Sequence, residues 1–304
     1  MDAMHVMEEL VAELNNYNYH YYTLDAPLVS DKEYDVLYDK LVALEAESGF
    51  VLPDSPTQRV GGELLKGFTP HRHLAPLWSL DKAQNIEQLR SWNTRVLRLV
   101  NEYNLKNPDN PLPDPCYAVE LKFDGLTLNL TYRNGVLEQA STRGNGVVGE
   151  GILAQVKPIK SVPLTIPFKD GVIEVQGEGI MNLSVLADYN TRAAEPLKNA
   201  RNAAAGALRN LNPKTTADRR LNAFFYNVGF AEGAEFADHQ EMMDFLRNNK
   251  FKVNPYLTYC NDFDDVTEQL AGIEESRSSL DYLIDGAVIL SLIHISEPTR
   301  HSLI

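Results

Sequence analysis

Cysteine is nearly absent from this chain: Cys116 and Cys260 are the only two in 304 residues, far apart and outside any C-x-x-C pair. That scarcity argues against a disulfide scaffold and against a cysteine zinc site, and it fits a reducing compartment. No apolar run approaches the roughly 18 residues that span a bilayer. The opening "MDAMHVMEEL" is acidic where a secretory leader is basic and then apolar, so a cytoplasmic protein without a membrane is expected. Positive charge is in deficit as well, with 28 Lys and Arg against 42 Asp and Glu and a formal net charge of −14. Alone, that disfavours a nucleic-acid partner, because phosphate contacts depend on Lys and Arg. The deficit is uneven. Acids crowd residues 8–47 and 232–275, whereas "RNAAAGALRNLNPKTTADRR" sets Arg201, Arg209, Lys214, Arg219 and Arg220 against Asp218 alone. Both a solvated helix face and a basic strip on an acidic protein describe that segment.

What remains is ordinary globular material, 44% hydrophobic and 23% charged, with length for about two domains. Residues 4–22 and 31–48 read as helices. The second opens on "SDKE", where Ser30 can cap the helix and Glu33 can reach back in a capping box; Pro27 marks the turn before it. "LPDSPTQRVGGELLKGFTP" reads as a surface linker. A helix is expected from Ile86 to Tyr103. Strands follow across "YAVELKFDGLTLNLTY" (Tyr117–Tyr132), then a hairpin at Asn134-Gly135. Further strands are expected at 171–178, 221–230 and 282–289, and helices at 182–194, 201–211 and 239–249. Strands joined mostly by hairpins, with helices interspersed, predict an α+β fold with largely antiparallel sheets. After Ile289 the string "LSLIHISEPTRHSLI" breaks the pattern and continues no strand; it resembles the translation of a transposase sequencing adapter. Residues 290–304 are therefore taken as foreign, and the natural chain as longer.

Alternation along a strand puts Glu120, Lys122 and Asp124 on one face and Val119, Leu121 and Phe123 on the other. Lys and Asp are poor strand formers, so three charges on one face need a reason. One is an ion pair on an exposed edge strand. The other is a covalent nucleophile: a lysine amine attacks only when deprotonated, a state that burial and neighbouring cations favour. The pattern K-x-D-G by itself decides little, since chance supplies it in about one chain in fifteen of this length.

The surrounding set decides more. "YYTLDAPLVSDKEYD", "DSPTQRVGG", "SLDK" at Ser79, "ELKFDG" (Glu120–Gly125), "TRGNGVVGE" (Thr142–Glu150), "GEG" (Gly177–Gly179), "RNAAAGALRNLNP" (Arg201–Pro213), "FFYNVG" (Phe224–Gly229) and "IDGAVI" (Ile284–Ile289) stand in the order seen in bacterial NAD⁺-dependent DNA ligases. The resemblance covers almost all of residues 1–289. It implies a helical domain over residues 1–68 that binds the nicotinamide half of NAD⁺, and an adenylation (nucleotidyltransferase) domain over 69–289, cut short. In that family a lysine attacks the α-phosphate of NAD⁺, expels nicotinamide mononucleotide (NMN) and keeps AMP, which then activates the 5′-phosphate of a nick for sealing. By resemblance Lys122 is the nucleophile, Asp124 orients it and Glu120 accepts from the adenine amine. Arg143 and Glu178 address the ribose, Tyr226 stacks on adenine, and Ser79 and Leu80 line the nucleotide pocket. Arg201 and Arg209, eight residues apart, carry guanidinium groups toward phosphates on one helix face, and Asp285 serves catalysis and Mg²⁺. Tyr21, Tyr22, Asp31, Tyr34 and Asp35 match the family positions that bind NMN; without the family, the tyrosines would read equally well as helix-packing aromatics. Nicked duplex DNA is the implied partner of a monomer, gripped mainly by downstream parts: an OB-fold, a zinc module, helix-hairpin-helix repeats and a BRCT domain. A Zn²⁺ ion is expected only there.

"GNGVVG" (Gly144–Gly149) is a literal G-x-G-x-x-G, but a dinucleotide-binding βαβ unit needs a strand before it and a helix after it. The hairpin upstream and the Pro-broken "VKPIKSVPLTIP" downstream supply neither. Departures from the family pattern are Gln176 for an Arg, Lys82 for Asn, Asn145 and Gly151 for Asp, and Leu290 where "IDGxVIK" places a pocket lysine. A further motif lysine is missing beyond it. The parent is expected to seal nicks and this chain not to, with self-adenylation impaired. The rival readings are an ATP-dependent nucleotidyltransferase and a module that binds NAD⁺ or AMP without chemistry.

Overall fold

The computed structural model describes residues 3–24, 26–59 and 67–292. Two helices come first, α1 (Ala3–Tyr22) and α2 (Asp31–Ser48), then a 3₁₀ turn at Pro56–Arg59, strand β1 (Pro70–Arg72) and helix α3 (Ile86–Lys106). Strands β2 (Tyr117–Phe123), β3 (Leu126–Arg133), β4 (Val136–Thr142) and β5 (Val148–Glu150) lead to the short α4 (Leu153–Val156). Strand β6 (Val172–Ile180) is followed by α5 (Leu183–Arg192), α6 (Ala200–Leu208) and α7 (Lys214–Asp218). The described chain ends with β7 (Asn222–Ala231), α8 (His239–Asn248), β8 (Thr258–Cys260), α9 (Phe263–Ser276) and β9 (Ile284–Ser291). Among the described residues no helix is long and apolar enough to cross a membrane.

The helical pair forms for local reasons. Ser30 Oγ accepts from the Glu33 amide while the Glu33 carboxylate accepts from the Ser30 amide, so the expected capping box is present, and Gly49 closes α2 in the left-handed region at φ 67°. Met7, Leu10, Val11 and Leu14 fall on one face of α1 and bury against Leu41 of α2. Arg59 then ties this unit to the rest. Its buried guanidinium donates to the carbonyls of Lys157, Ile159 and Val162 at 3.2, 2.8 and 2.9 Å. Burial pulls its pKa down to about 10.

Among the described residues the three sheets are all antiparallel. The largest has the order β4-β3-β6-β7, a second has β8-β2-β9, and β1 pairs with β5. The β3–β4 turn uses Asn134 at φ 48° and Gly135 at φ 79°, the positive pair a two-residue hairpin requires. One face of the large sheet buries Leu128, Leu130, Val175 and Phe225 against α6 and α8. Four small residues of α6, Ala200, Ala203, Ala204 and Ala207, let that helix approach closely. A smaller core of Leu121, Phe123, Ile180, Phe224, Leu280 and Ile284 draws on both larger sheets. At its centre the Phe123 and Phe224 rings stack 4.3 Å apart, 2° from parallel. The functional cleft lies beside this clamp.

Two readings need correction, and one helix was not expected. Strand β2 is the middle strand of its sheet, so Lys122 does not sit on an edge. Strand β9 does not stop at Ile289: Leu290 and Ser291 pair with Ala118 and Tyr117, and the Leu292 amide donates to the Cys116 carbonyl at 2.8 Å. Ladder hydrogen bonds belong to the backbone, so they continue whatever the side chains are. The rest of the supposed foreign tail, residues 293–304, lies outside the described residues. Helix α9 was not anticipated, although Asp262 caps it through the amides of Asp264 and Asp265.

Candidate active site

The K-x-D-G segment turns where β2 gives way to β3, and its glycine is dictated by packing. A Cβ on Gly125 would stand 2.2 Å from the Gly179 carbonyl oxygen and 3.1 Å from Cγ of Glu178. Only a residue without a side chain lets the turn lie directly on β6. That contact brings β2 of one sheet onto Glu178 of the other.

Lys122 leaves β2 just before a register shift between Lys122 and Phe123. Its Nζ donates to both carboxylate oxygens of Asp285, at 2.7 and 2.6 Å. The two residues are 163 positions apart, and both side chains reach solvent. Across the ladder from Lys122 stands Gly286, at φ 148° with no atom within 4 Å of a notional Cβ. The ladder position opposite Lys122 is therefore open, and the Lys122 side chain itself is about half exposed. Asp124, beyond the end of the strand, takes Arg201 at 2.9 Å rather than Lys122, and its amide donates to the Leu283 carbonyl at 2.9 Å. The three charges read as one row thus find three different partners. A sheet bulge and a turn separate side chains that simple alternation placed together.

Glu178 on β6 stands opposite Thr127 of β3. Burial pushes its pKa up to about 7, against the opposing pull of the Thr127 hydroxyl, the Lys122 and Arg201 charges and the Gly125 amide. Tyr226 on β7 has its hydroxyl pKa raised, first by burial and then by the Glu178 charge, with Arg143 and a hydrogen bond to Thr127 opposing. Arg143 itself donates to Ser79 Oγ. Lys122, Glu178, Arg201, Tyr226 and Arg143 therefore share one electrostatic neighbourhood between the two sheets. Thr127, which joins Glu178 to Tyr226, was missed from the sequence; pairing β3 with β6 on paper would have found it.

Glu120 is buried, 3% exposed, and faces a residue the sequence reading also missed. His239 Nε2 lies 3.6 Å from Glu120 Oε1, and its Nδ1 is 3.0 Å from the Tyr259 hydroxyl. The sequence offered no signal for this pair beyond the cap of α8.

The remaining expected residues fall elsewhere. Arg209 caps α6 after the helix has ended and lines a cavity of about 630 Å³ with Thr142, Gly144 and Glu150; Arg201 and Arg209 thus have different surroundings. Leu80 is 60% exposed on the loop that carries Ser79. In the helical pair the Tyr21 and Tyr22 rings meet at 4.7 Å, and Lys160 Nζ lies 5.0 Å from the Tyr22 ring and 5.9 Å from that of Tyr34. Asp31 raises the Tyr22 hydroxyl pKa, after burial, while Asp31 and Asp35 are exposed. Among the described residues none of these five is bonded or ion-paired to Lys122, Glu120 or Glu178. Of the departures, Asn145 caps its own turn, Oδ1 accepting from the amides of Val147 and Val148 at 3.0 and 2.8 Å, a task an aspartate performs equally well. Gln176 accepts from Asn227 Nδ2 at 2.9 Å. The glycine-rich "GNGVVG" is a turn into β5, which pairs antiparallel with β1; no βαβ unit is formed.

The chain matches the family model for the NAD-dependent DNA ligase adenylation domain over residues 65–296, and that for the DNA ligase-like, N-terminal NAD⁺-binding domain over residues 1–61. It is 59% identical over 289 residues to a protein named DNA ligase from Alkaliphilus oremlandii, covering 95% of this chain and 42% of the relative. The DNA ligase of Alkaliphilus metalliredigens is 56% identical over 290 residues, with the same shares. That of Clostridium botulinum strain Loch Maree is 52% identical over 285, covering 93% and 43%. The chain spans less than half the length of these relatives.

Proposed function

The chain belongs to the NAD-dependent DNA ligase family, and on that premise we propose that it carries the adenylate-accepting step of nick sealing, with Lys122 as the nucleophile. The observation that carries this reading is the Lys122 amine gripped by both oxygens of Asp285 and about half exposed to solvent. Nζ attacks the α-phosphorus of NAD⁺; a P–N bond forms and the P–O bond to NMN breaks. Asp285 is placed to take the proton that Nζ must lose. Arg201, whose guanidinium Asp124 holds at 2.9 Å, binds the phosphate in this reading. Glu178 and Arg143 address the ribose, Tyr226 the adenine face, and Glu120 the adenine amine. Tyr22 and Tyr34, with exposed Asp31 and Asp35, offer aromatic faces and negative charge suited to the cationic nicotinamide ring. Asp285 also has the hard-oxygen chemistry that Mg²⁺ takes, and a bound Mg²⁺ would neutralise phosphate charge. The later steps, AMP transfer to a 5′-phosphate and its displacement by a 3′-hydroxyl, belong to the whole enzyme.

Register favours slow chemistry in this chain. Leu290 pairs with Ala118 and so lies on the same face as Glu120 and Lys122, an apolar side chain where a cation would meet phosphate. Incubation with NAD⁺ and Mg²⁺ followed by intact-mass measurement tests the reading. A slow AMP adduct on Lys122, absent from Lys122→Ala, is expected. An adduct on another residue, or one formed from ATP and not from NAD⁺, overturns it. Protection against heat by NAD⁺ with no adduct at all would leave a binding module.

A further inference from the structure

Behind the nucleotide cleft, three side chains with metal-ligating atoms converge beneath β1. His71 on β1, His73 just after it and Glu174 on β6 place their ligand atoms within 4.8 Å of one another. The ring of His71 reaches the surface, yet its Nε2 is buried, without a hydrogen-bond partner, and 3.8 Å from Glu174 Oε1. Glu174 is fully buried. Among the described residues its hydrogen-bond donors are all neutral: the amides of Leu74 and Ala75 at 2.9 and 3.4 Å and the Thr131 hydroxyl at 3.2 Å. A carboxylate taken out of water among neutral donors is costly unless a cation joins it.

His73 is already oriented as a ligand. Its Nε2 lies 3.0 Å from the Arg143 carbonyl; a carbonyl only accepts, so Nε2 holds the proton and Nδ1 keeps its lone pair. Fixing one ring nitrogen on a backbone carbonyl is the usual support for a metal-bound imidazole. Nδ1 faces inward, 3.0 Å from Asn129 Nδ2 and 3.4 Å from Ser141 Oγ. Asn129 Oδ1 is buried and unpartnered.

We propose that His71 Nε2, His73 Nδ1 and Glu174 form a binding site for a divalent transition metal of the zinc type. The 3.8 Å between His71 Nε2 and Glu174 Oε1 is a few tenths of an ångström beyond the roughly 3.4 Å that separates two ligand atoms on a tetrahedral ion with bonds of about 2.0–2.1 Å, so a small inward turn of the His71 ring brings both onto one ion. One larger rearrangement is required. The Asn129 amide turns about its last bond, releasing Nδ1 and bringing its unpartnered oxygen toward the ion as a fourth donor. Two imidazoles and a carboxylate suit Zn²⁺ or Co²⁺ and disfavour Mg²⁺, which takes oxygen, so this site is separate from any Mg²⁺ at Asp285. The ion would join β1 and the loop that follows it to β6. That loop carries Ser79, the partner of Arg143, so the metal braces the nucleotide cleft from behind.

The test uses the full chain, stripped with a chelator and titrated with Co²⁺ and with Zn²⁺ alone. One equivalent of Co²⁺ should develop the visible absorption of a low-coordinate site, Zn²⁺ should displace it, and Zn²⁺ should raise the melting temperature. His71→Ala and His71→Gln alter a residue at the surface and should fold. Each should weaken Zn²⁺ binding more than about 100-fold, beyond the usual cost of losing an outer partner, and abolish the melting shift. His5→Ala, which removes the exposed histidine beside Glu8 and Glu9, should change neither. Equal binding by wild type and the His71 variants overturns the proposal, as does no retained metal.

Discussion

The cleft around Lys122 and the N-terminal helical pair hold the two halves of the proposed NAD⁺ site, and they are organised by different rules. In the cleft every charged side chain is tied to a distant part of the chain: Lys122 to Asp285, Asp124 to Arg201, Glu178 to Thr127. In the helical pair the aromatic residues meet mostly one another, Tyr21 on Tyr22 and Tyr34 on Tyr38, with Asn18 donating to the Tyr34 hydroxyl at 3.0 Å and Lys160 reaching the Tyr22 and Tyr34 rings from outside the pair. Among the described residues neither Asp31 nor Asp35 forms an ion pair. A cleft built by sheet register is preorganised before substrate arrives; exposed acids on a hairpin gain a partner only from the substrate.

The sharpest way to break that contrast, after the complete loss expected for Lys122→Ala, is to disarm the hairpin alone. Asp35→Asn or Tyr22→Ala should slow AMP-adduct formation from NAD⁺ by about 100-fold, the loss of one contact to a charged group worth about 2.7 kcal/mol. The same variants should leave AMP affinity for the cleft unchanged, as equilibrium binding would measure. A parallel loss of AMP affinity would mean that the two halves are one structural unit.

A gain of function probes the cleft from the other side. Leu290 lies two ladder rungs beyond Val288, which is opposite Glu120, and Leu290→Lys places an ammonium on the phosphate side. The adduct rate should rise at least about tenfold, worth about 1.4 kcal/mol of barrier. An unchanged rate in quenched mass measurements would show that a cation at this rung adds nothing.

Much of this was readable from the residues. The parity of "ELKFDG" assigned Glu120 and Lys122 to one face, the capping box gave the start of α2, and Asn134-Gly135 gave the β3–β4 turn. What escaped was long-range or too short. The Lys122–Asp285 pair joins strands 163 residues apart, and no local pattern encodes which carboxylate meets which amine. Strands β1, β5 and β8 have three residues each, below the length at which alternation can be recognised. Helix α9 was legible and was overlooked: Phe263, Val266, Leu270 and Ile273 recur at helical spacing and pack with Val119 and Cys260, but the acids around them read as a charge run. His71 and Glu174 lie far apart in sequence and meet only through the pairing of sheets.

The smallest effect concerns Glu178, and it separates a carboxylate tuned by burial from one merely placed on a surface. Its ordinary value of 4.5 rises to about 7 in the folded chain, chiefly through burial, so the folded state binds more protons than the unfolded state between those limits. Stability from this group is therefore complete below about pH 4.5, declines as pH rises toward 7, and is flat beyond. Because the group is only partly buried, the loss should be on the order of 1 kcal/mol. Denaturant midpoints for wild type should fall by that amount across the interval relative to Glu178→Gln, which has no proton to lose. The charge should also matter to substrate: a carboxylate accepts from both hydroxyls of a ribose, whereas the protonated acid has one oxygen committed as a donor. NAD⁺ affinity should weaken as pH drops below 7 in wild type and stay level in Glu178→Gln. Affinity that stays level in both would remove Glu178 from the ribose and leave its raised pKa as a consequence of packing alone.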